Sequence, residues 1–144
     1  RTPLPSSVTM NDVQLDLASG KVGVRLFYGH DGADEPVPTI IYFHGGGWVV
    51  GDADTHTVTC ARLAHEANAL VVSVDYPLAP EAHWRTITDA CFEAASAIAA
   101  DRVAQDAGAP IAVAGDSAGA RASYQRVLKL VPDDQRAQEQ LKTL

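Results

Sequence analysis

The chain has 144 residues, of which 47% are hydrophobic and 20% charged, so its composition is that of one soluble globular domain and excludes a disordered segment. Its 18 acidic against 11 basic residues give a formal net charge of −7, which argues against nucleic acid or an anionic membrane surface as a partner. The apolar runs are too short to span a bilayer and the N-terminus lacks a signal-peptide pattern, so we expect a cytoplasmic protein.

The N-terminal part of the chain predicts a linker followed by a β-hairpin. Residues 1–11 have a linker-like composition and begin without methionine, and we therefore expect the chain to be part of something longer. Residues 13–17 and 21–28 alternate apolar and polar side chains on either side of Ser19-Gly20. This pattern predicts an antiparallel hairpin with one solvated face.

Three short apolar runs predict buried strands, at residues 39–43, 69–76 and 110–115. Each is separated from the next by a longer segment with helical periodicity. The order of strands and helices predicts parallel pairing through βαβ crossovers. We therefore predict an α/β fold with an open, mostly parallel sheet that begins with an antiparallel hairpin.

Two helices are predicted between these strands. The first would have Asp54 or Thr55 as its N-cap and would end near Ala69. The second has apolar residues at spacings of three and four, followed by one basic residue: Ile87, Cys91, Ala94, Ile98 and Arg102.

The two cysteines, Cys60 and Cys91, both fall in helix-like apolar patterns and form no C-x-x-C pair. We therefore expect two buried, reduced thiols, and neither a metal site nor a cofactor.

A glycine-rich loop, His44–Gly47, follows the predicted strand 39–43 directly. Successive glycines let backbone N–H groups turn toward a ligand. Such donors stabilise the oxyanion of an acyl-transfer intermediate by roughly 3 to 4 kcal/mol each. An ordinary strand-to-helix turn is the alternative, and a phosphate loop is disfavoured because no G-K-[ST] follows.

A second motif, "GDSAG", follows the strand 110–115 and places Ser117 in a G-x-S-x-G frame. With a strand before it and a helix after it, this frame is typical of the sharp turn that presents a nucleophilic serine. The N–H of Ala118 would point, with the start of the helix, toward the same developing negative charge.

The motifs "HGGGWVVGD", "DYPLAPE" and "GDSAG", in this order, resemble the hormone-sensitive-lipase-like branch of the α/β-hydrolase superfamily over about residues 12–119. The resemblance implies an incomplete α/β-hydrolase fold and the hydrolysis of a small carboxylic ester through an acyl-enzyme. It also implies individual roles: Ser117 as nucleophile, Gly46, Gly47 and Ala118 as oxyanion donors, and His44 as the residue that orients the glycine loop. Trp48 would line an acyl pocket or, alternatively, pack in the core.

The histidines raise a problem for catalysis. In this superfamily the triad runs in the order serine, acid, histidine. All five histidines of this chain precede Ser117, so we expect the chain to be inactive or incomplete by itself. A triad built from His56 or His83 is disfavoured. The alternative function is a non-catalytic hydrolase core with a helical tail for protein interaction.

The tail, residues 120–144, has two interpretations. Ala120, Tyr124, Val127 and Pro132 have the spacing that ends a tetratricopeptide repeat, and a further helix would follow. The same residues also fit the helix after the serine turn, ended by Pro132. Without a later strand, the run 110–115 would leave a sheet edge unpaired, so we expect self-association or a complementing partner.

Overall fold

The computed structural model describes residues 3–29, 37–105 and 109–116. These residues form a five-stranded sheet with one helix on each face. The predictions for Ser117, Ala118 and the tail 120–144 lie outside these residues. The elements are, in chain order, β1 (Thr9–Leu17), β2 (Gly20–Tyr28), β3 (Thr39–Phe43), α1 (Thr57–Ala67), β4 (Leu70–Asp75), α2 (Trp84–Gln105) and β5 (Ile111–Gly115).

The strand order in the sheet is β1-β2-β4-β3-β5. β3 pairs in parallel with both β4 and β5, whereas β2 pairs antiparallel with both β1 and β4. The predicted α/β fold and its N-terminal hairpin are therefore confirmed. The sheet is mixed: β1, β3, β4 and β5 run in one direction, and β2 runs against both of its neighbours, which adds a second antiparallel pair.

The two helices pack on opposite faces of the sheet, because successive strand side chains point to opposite sides. Tyr42 faces α1, where it lies in a cluster with Cys60, whereas its neighbour Phe43 faces α2 and lies in a cluster with Cys91. The apolar positions predicted for α2 are buried as expected: Ile87, Cys91, Ala94 and Ile98. Both cysteines are buried and free, and burial raises the pKa of the Cys60 thiol to about 11.

The start of α1 differs from the prediction. Neither Asp54 nor Thr55 caps the helix, whose N-cap residue is His56. Thr55 is already engaged in a preceding turn: its N–H donates to Asp52 Oδ1 at 2.7 Å, and its hydroxyl accepts from the Asp52 N–H at 2.9 Å. At the other end, Asn68 adopts a left-handed conformation with φ 46°, which stops the helix before the predicted Ala69.

An arginine attaches the hairpin to α1. Arg25 on β2 donates from Nε and from a terminal nitrogen to the Asp12 carboxylate on β1, at 2.6 and 2.9 Å. Its other terminal nitrogen donates to Asp54 at 2.6 Å and to the Thr57 hydroxyl at 3.1 Å. β1 itself is exposed on nearly its whole length, more than the predicted single solvated face, and these polar contacts therefore supplement sparse apolar packing.

Candidate active site

The loops that follow β3, β4 and β5 meet at one edge of the sheet, because the carboxyl ends of parallel strands lie together. The chain leaves β3 toward α1 on one face and leaves β4 toward α2 on the other. A crevice at such a divergence is where open α/β sheets bind ligands. Two of the motifs quoted above, "HGGG" and the start of "GDSAG", lie in these loops.

His44, the first residue after β3, is wholly buried. Its Nδ1 lies 2.8 Å from the Gly45 carbonyl oxygen. Its ring stacks on Tyr76, with centroids 4.2 Å apart and planes inclined by 9°. The Tyr76 hydroxyl also donates a hydrogen bond of 2.5 Å to the His44 carbonyl oxygen. These contacts bind the start of the glycine loop to the loop after β4, and so hold its position.

Gly46 and Gly47 adopt conformations that favour glycine, with φ of 129° and 62°. The Gly46 carbonyl oxygen accepts hydrogen bonds from the N–H groups of Val49 and Val50, at 3.2 and 3.1 Å, which closes a tight turn. Within the described residues, neither the N–H group of Gly46 nor that of Gly47 is engaged in a hydrogen bond.

Two further glycines, Gly45 and Gly51, have neighbouring groups close beside them. A Cβ on Gly51, whose φ is 100°, would lie 2.5 Å from the Gly45 carbonyl oxygen and 2.6 Å from His44 Nδ1. A Cβ on Gly45 would lie 3.0 Å from both carboxylate oxygens of Asp116. The glycine loop therefore packs directly against the residue that precedes Ser117.

Trp48 packs beneath this loop. It lies edge-on to Tyr76, with centroids 5.5 Å apart, and is half-buried against the core cluster on the α2 side. Its carbonyl oxygen accepts a hydrogen bond of 2.8 Å from the Ala79 N–H. The described contacts of Trp48 are thus those of core packing, and its part in an acyl pocket stays a prediction.

An open concavity of about 420 Å³ lies beside the glycine loop, and Asp116 and His56 form part of its wall. His56 Nε2 is 3.2 Å from Asp116 Oδ2. Partial burial raises the pKa of the Asp116 carboxyl, but the charge of His56 and hydrogen bonds from His56 and Tyr42 outweigh it, so the pKa lies below its ordinary value. Asp116 is therefore an anion at neutral pH.

Each described histidine has a defined environment. His65 Nδ1 lies 3.0 Å from the Ser7 hydroxyl, and His83 Nδ1 accepts the Arg85 N–H at 3.3 Å at the start of α2. Both ring nitrogens of His56 have polar partners, since Nδ1 lies 3.1 Å from Thr55 Oγ1. His44 Nε2 is buried without a partner within the described ranges.

His56 and Tyr76 are the residues of this site that sequence reasoning missed. The sequence predicted His56 only as a disfavoured catalytic base, and it gave Tyr76 no role beyond membership of the "DYPLAPE" motif. The one sequence signal for either is its position in a motif-rich loop, because their partners are distant along the chain.

Residues 3–29, 37–105 and 109–116 contain no cluster of three or more histidine, cysteine, aspartate or glutamate side chains arranged to hold a metal ion. Over the same residues, no helix has the length and apolarity needed to cross a membrane.

The comparison with protein families agrees with the observed fold. Residues 40–141 match the family model described as alpha/beta hydrolase fold. The chain belongs to this family.

Among curated proteins, the chain is similar to Esterase LipI of Mycobacterium tuberculosis, with 41% identity over 122 residues, 83% of this chain and 38% of LipI. It is 45% identical over 89 residues to Carboxylesterase NlhH of the same organism, 60% of this chain and 28% of NlhH. Among solved structures, an esterase of Pyrobaculum calidifontis superposes with a TM-score of 0.75 and 35% identity, covering 86% of this chain and 40% of that one. The chain thus spans about two fifths of the length of LipI and of the Pyrobaculum esterase.

Proposed function

We propose that this protein is a carboxylic ester hydrolase that acts through a serine nucleophile and an acyl-enzyme. Ser117 is the nucleophile, and the N–H groups of Gly46, Gly47 and Ala118 bind the oxyanion. His44 orients the glycine loop through its carbonyl oxygen, which accepts a hydrogen bond from the Tyr76 hydroxyl. The substrate is a small ester, with short acyl chains preferred, and the relatives named esterase and carboxylesterase support this class.

One observation carries the proposal. The glycine loop and the residue before Ser117 are in contact, since the space for a Cβ on Gly45 is limited by the Asp116 carboxylate. An acyl-transfer site needs its nucleophile and its N–H donors within about 3 Å of one reacting carbonyl group. The contact between the two loops supports this juxtaposition, and the N–H groups of Gly46 and Gly47, which pair with no described acceptor, would supply the donors.

The general base is a separate part of the proposal. A serine hydroxyl reacts only when a base accepts its proton. His65 and His83 are engaged elsewhere, both ring nitrogens of His56 have partners, and the His44 side chain is buried. His30, like these four, precedes Ser117, whereas the base of this superfamily follows the serine. We therefore propose that residues beyond 1–144 supply the base and its acid, and that residues 1–144 alone do not turn over esters.

The tail 120–144 is proposed to be a hydrolase segment. The family match extends to residue 141, and this extent favours the helix after the serine turn over a tetratricopeptide repeat. A protein-interaction tail on a non-catalytic core has no comparable support. β5 is the last strand of the described sheet, so self-association or a complementing chain is also proposed. A monodisperse monomer of residues 1–144 in sizing experiments would argue against association.

The test uses the protein at its full genomic length, with a fluorophosphonate probe and p-nitrophenyl acetate. Ser117→Ala should abolish both labelling and hydrolysis. Ser96→Ala is the matched control, because the Ser96 hydroxyl donates to the Phe92 carbonyl oxygen within α2 and lies apart from the glycine loop. This variant should retain both activities.

Two results would contradict the proposal. Labelling that persists in Ser117→Ala would assign the nucleophile elsewhere, and a folded full-length protein that hydrolyses no ester would exclude the activity. Turnover by residues 1–144 alone would contradict only the proposed source of the base.

A further inference from the structure

Asp116, the residue immediately before Ser117, contacts three segments that are distant along the chain. Its Oδ2 lies 3.2 Å from His56 Nε2 at the start of α1. The hydroxyl of Tyr42 on β3 helps to lower the pKa of its carboxyl, and Asp116 also packs against Gly45 in the glycine loop. One carboxylate therefore connects the end of β5 to the loop that bears the proposed oxyanion donors.

His56 gives up a local role to make this contact. As the N-cap residue of α1 it forms no side-chain hydrogen bond to the helix N–H groups. Serine, threonine, aspartate or asparagine at an N-cap typically stabilises a helix by about 1 kcal/mol relative to residues that cannot cap. Where a sequence breaks such a local preference, the reason is commonly functional. Here the side chain is directed to Asp116 instead.

The orientation of the His56 ring is defined from several sides. Nδ1 lies 3.1 Å from Thr55 Oγ1 and 3.4 Å from the Asp52 carbonyl oxygen. The ring centroid is 5.5 Å from that of His44 and 6.2 Å from that of Tyr42. Only 18% of the His56 side chain is exposed. Nε2 is thereby held toward the carboxylate, to which it donates.

The charge of Asp116 makes this donor important for the proposed reaction. An anionic carboxylate beside an oxyanion site would oppose the negative charge that develops in the transition state. A hydrogen-bond donor on the carboxylate reduces that opposition and also fixes the position of the serine turn. Misplacement of a reacting group by about 1 Å can lower the rate of the chemical step by about 100-fold. We therefore expect the loss of this donor to lower kcat.

We propose that His56 is a positioning residue of the ester hydrolase, which holds Asp116 so that the turn bearing Ser117 and the glycine loop keep their productive separation. The inference rests on the proposed function. It assigns His56 no proton transfer to or from the substrate, because both of its ring nitrogens have partners within the site.

The test measures kcat and KM for p-nitrophenyl acetate, together with the rate of fluorophosphonate labelling, in the full-length protein. His56→Leu removes the donor and should lower kcat by about 10- to 100-fold while KM changes less than about 3-fold. His56→Gln keeps an N–H donor and should retain kcat within about 5-fold of the wild type. His65→Leu is the matched control, since His65 lies on α1 and its ring is hydrogen-bonded to Ser7, away from Asp116; it should behave as the wild type.

A double variant separates the proposed route from a general loss of stability. When Asp116→Ala is already present, His56→Leu should lower kcat by less than about 3-fold further, because alanine has no acceptor for the His56 N–H and their shared interaction is gone. Additive losses, or a kcat of His56→Leu equal to that of the wild type, would overturn the inference and leave the proposed function standing. A wild-type protein without Ser117-dependent turnover would overturn both, and is recognised before any His56 variant is made.

Discussion

Gly46 and Gly47 are adjacent, and both have positive φ, yet the structure predicts very different results when each is replaced by alanine. A Cβ on Gly46 would overlap the Val50 carbonyl oxygen, whereas a Cβ on Gly47 meets nothing within 4 Å. Both substitutions keep the backbone N–H. The pair therefore tests the geometry of the loop without removing either proposed donor.

The magnitude follows from the turn that Gly46 closes. Relief of the overlap requires the turn to open, which breaks the hydrogen bonds from Val49 and Val50 to the Gly46 carbonyl oxygen, each worth about 1 kcal/mol. An alanine at φ 129° adds about 1 to 3 kcal/mol of backbone strain. Gly46→Ala should therefore lower the free energy of unfolding by about 3 to 5 kcal/mol. Gly47→Ala, at a left-handed φ of 62°, should cost only about 1 to 2 kcal/mol.

The measurement is urea denaturation of both variants, followed by circular dichroism, together with fluorophosphonate labelling under native conditions. Displacement of an oxyanion donor should lower the labelling rate of Gly46→Ala by about 100- to 1,000-fold, and that of Gly47→Ala by less than about 10-fold. Equal stabilities of the two variants would refute the reasoning from the turn. Equal labelling rates in folded samples would refute the donor role of Gly46.

Two further predictions concern the rest of the fold. Arg25→Met should lower the free energy of unfolding by about 1 to 2 kcal/mol at neutral pH, since it removes two ion pairs, to Asp12 and Asp54, whose carboxylates are largely exposed. The hydrogen bond from Arg25 lowers the pKa of Asp12 in the folded protein. The difference in the free energy of unfolding between wild type and variant should therefore be complete above the ordinary pKa of 3.8, and should vanish as the pH falls through the lower pKa of the folded protein. A difference that grows in acid would contradict this. Cys60 and Cys91 are buried and burial raises the pKa of Cys60 to about 11, so Ellman's reagent at pH 8 should react with neither thiol in the folded protein and with both in guanidinium; rapid native reaction would show that the α1 face opens.

The strands of this protein were predictable because their signal is local. Residues 39–43 are continuously apolar and β-branched, and they form β3 with the predicted bounds. The start of α1 was not predictable in the same way. Asp54 and Thr55 both have the chemistry of an N-cap, but Thr55 is engaged with Asp52 in a turn, and the choice between turn and cap depends on contacts that the one-dimensional pattern does not contain.

The strand order was also undecided by the sequence. Alternating strands and helices predict parallel pairs, but they do not say that β2 lies against β4 and makes half of the pairs antiparallel. The pairing depends on which apolar faces are covered together, and this is a property of the whole sheet.

The sequence by itself determined the class of the protein and the nature of its loops, because glycines, turn residues and short apolar runs act on the backbone within a few residues. Only the tertiary structure decided which side chains meet: His44 with Tyr76, and His56 with Asp116, 60 positions apart in the chain. Such pairs arise where the ends of parallel strands converge, and the distance between two loops across a sheet leaves no trace in the spacing of their residues along the chain.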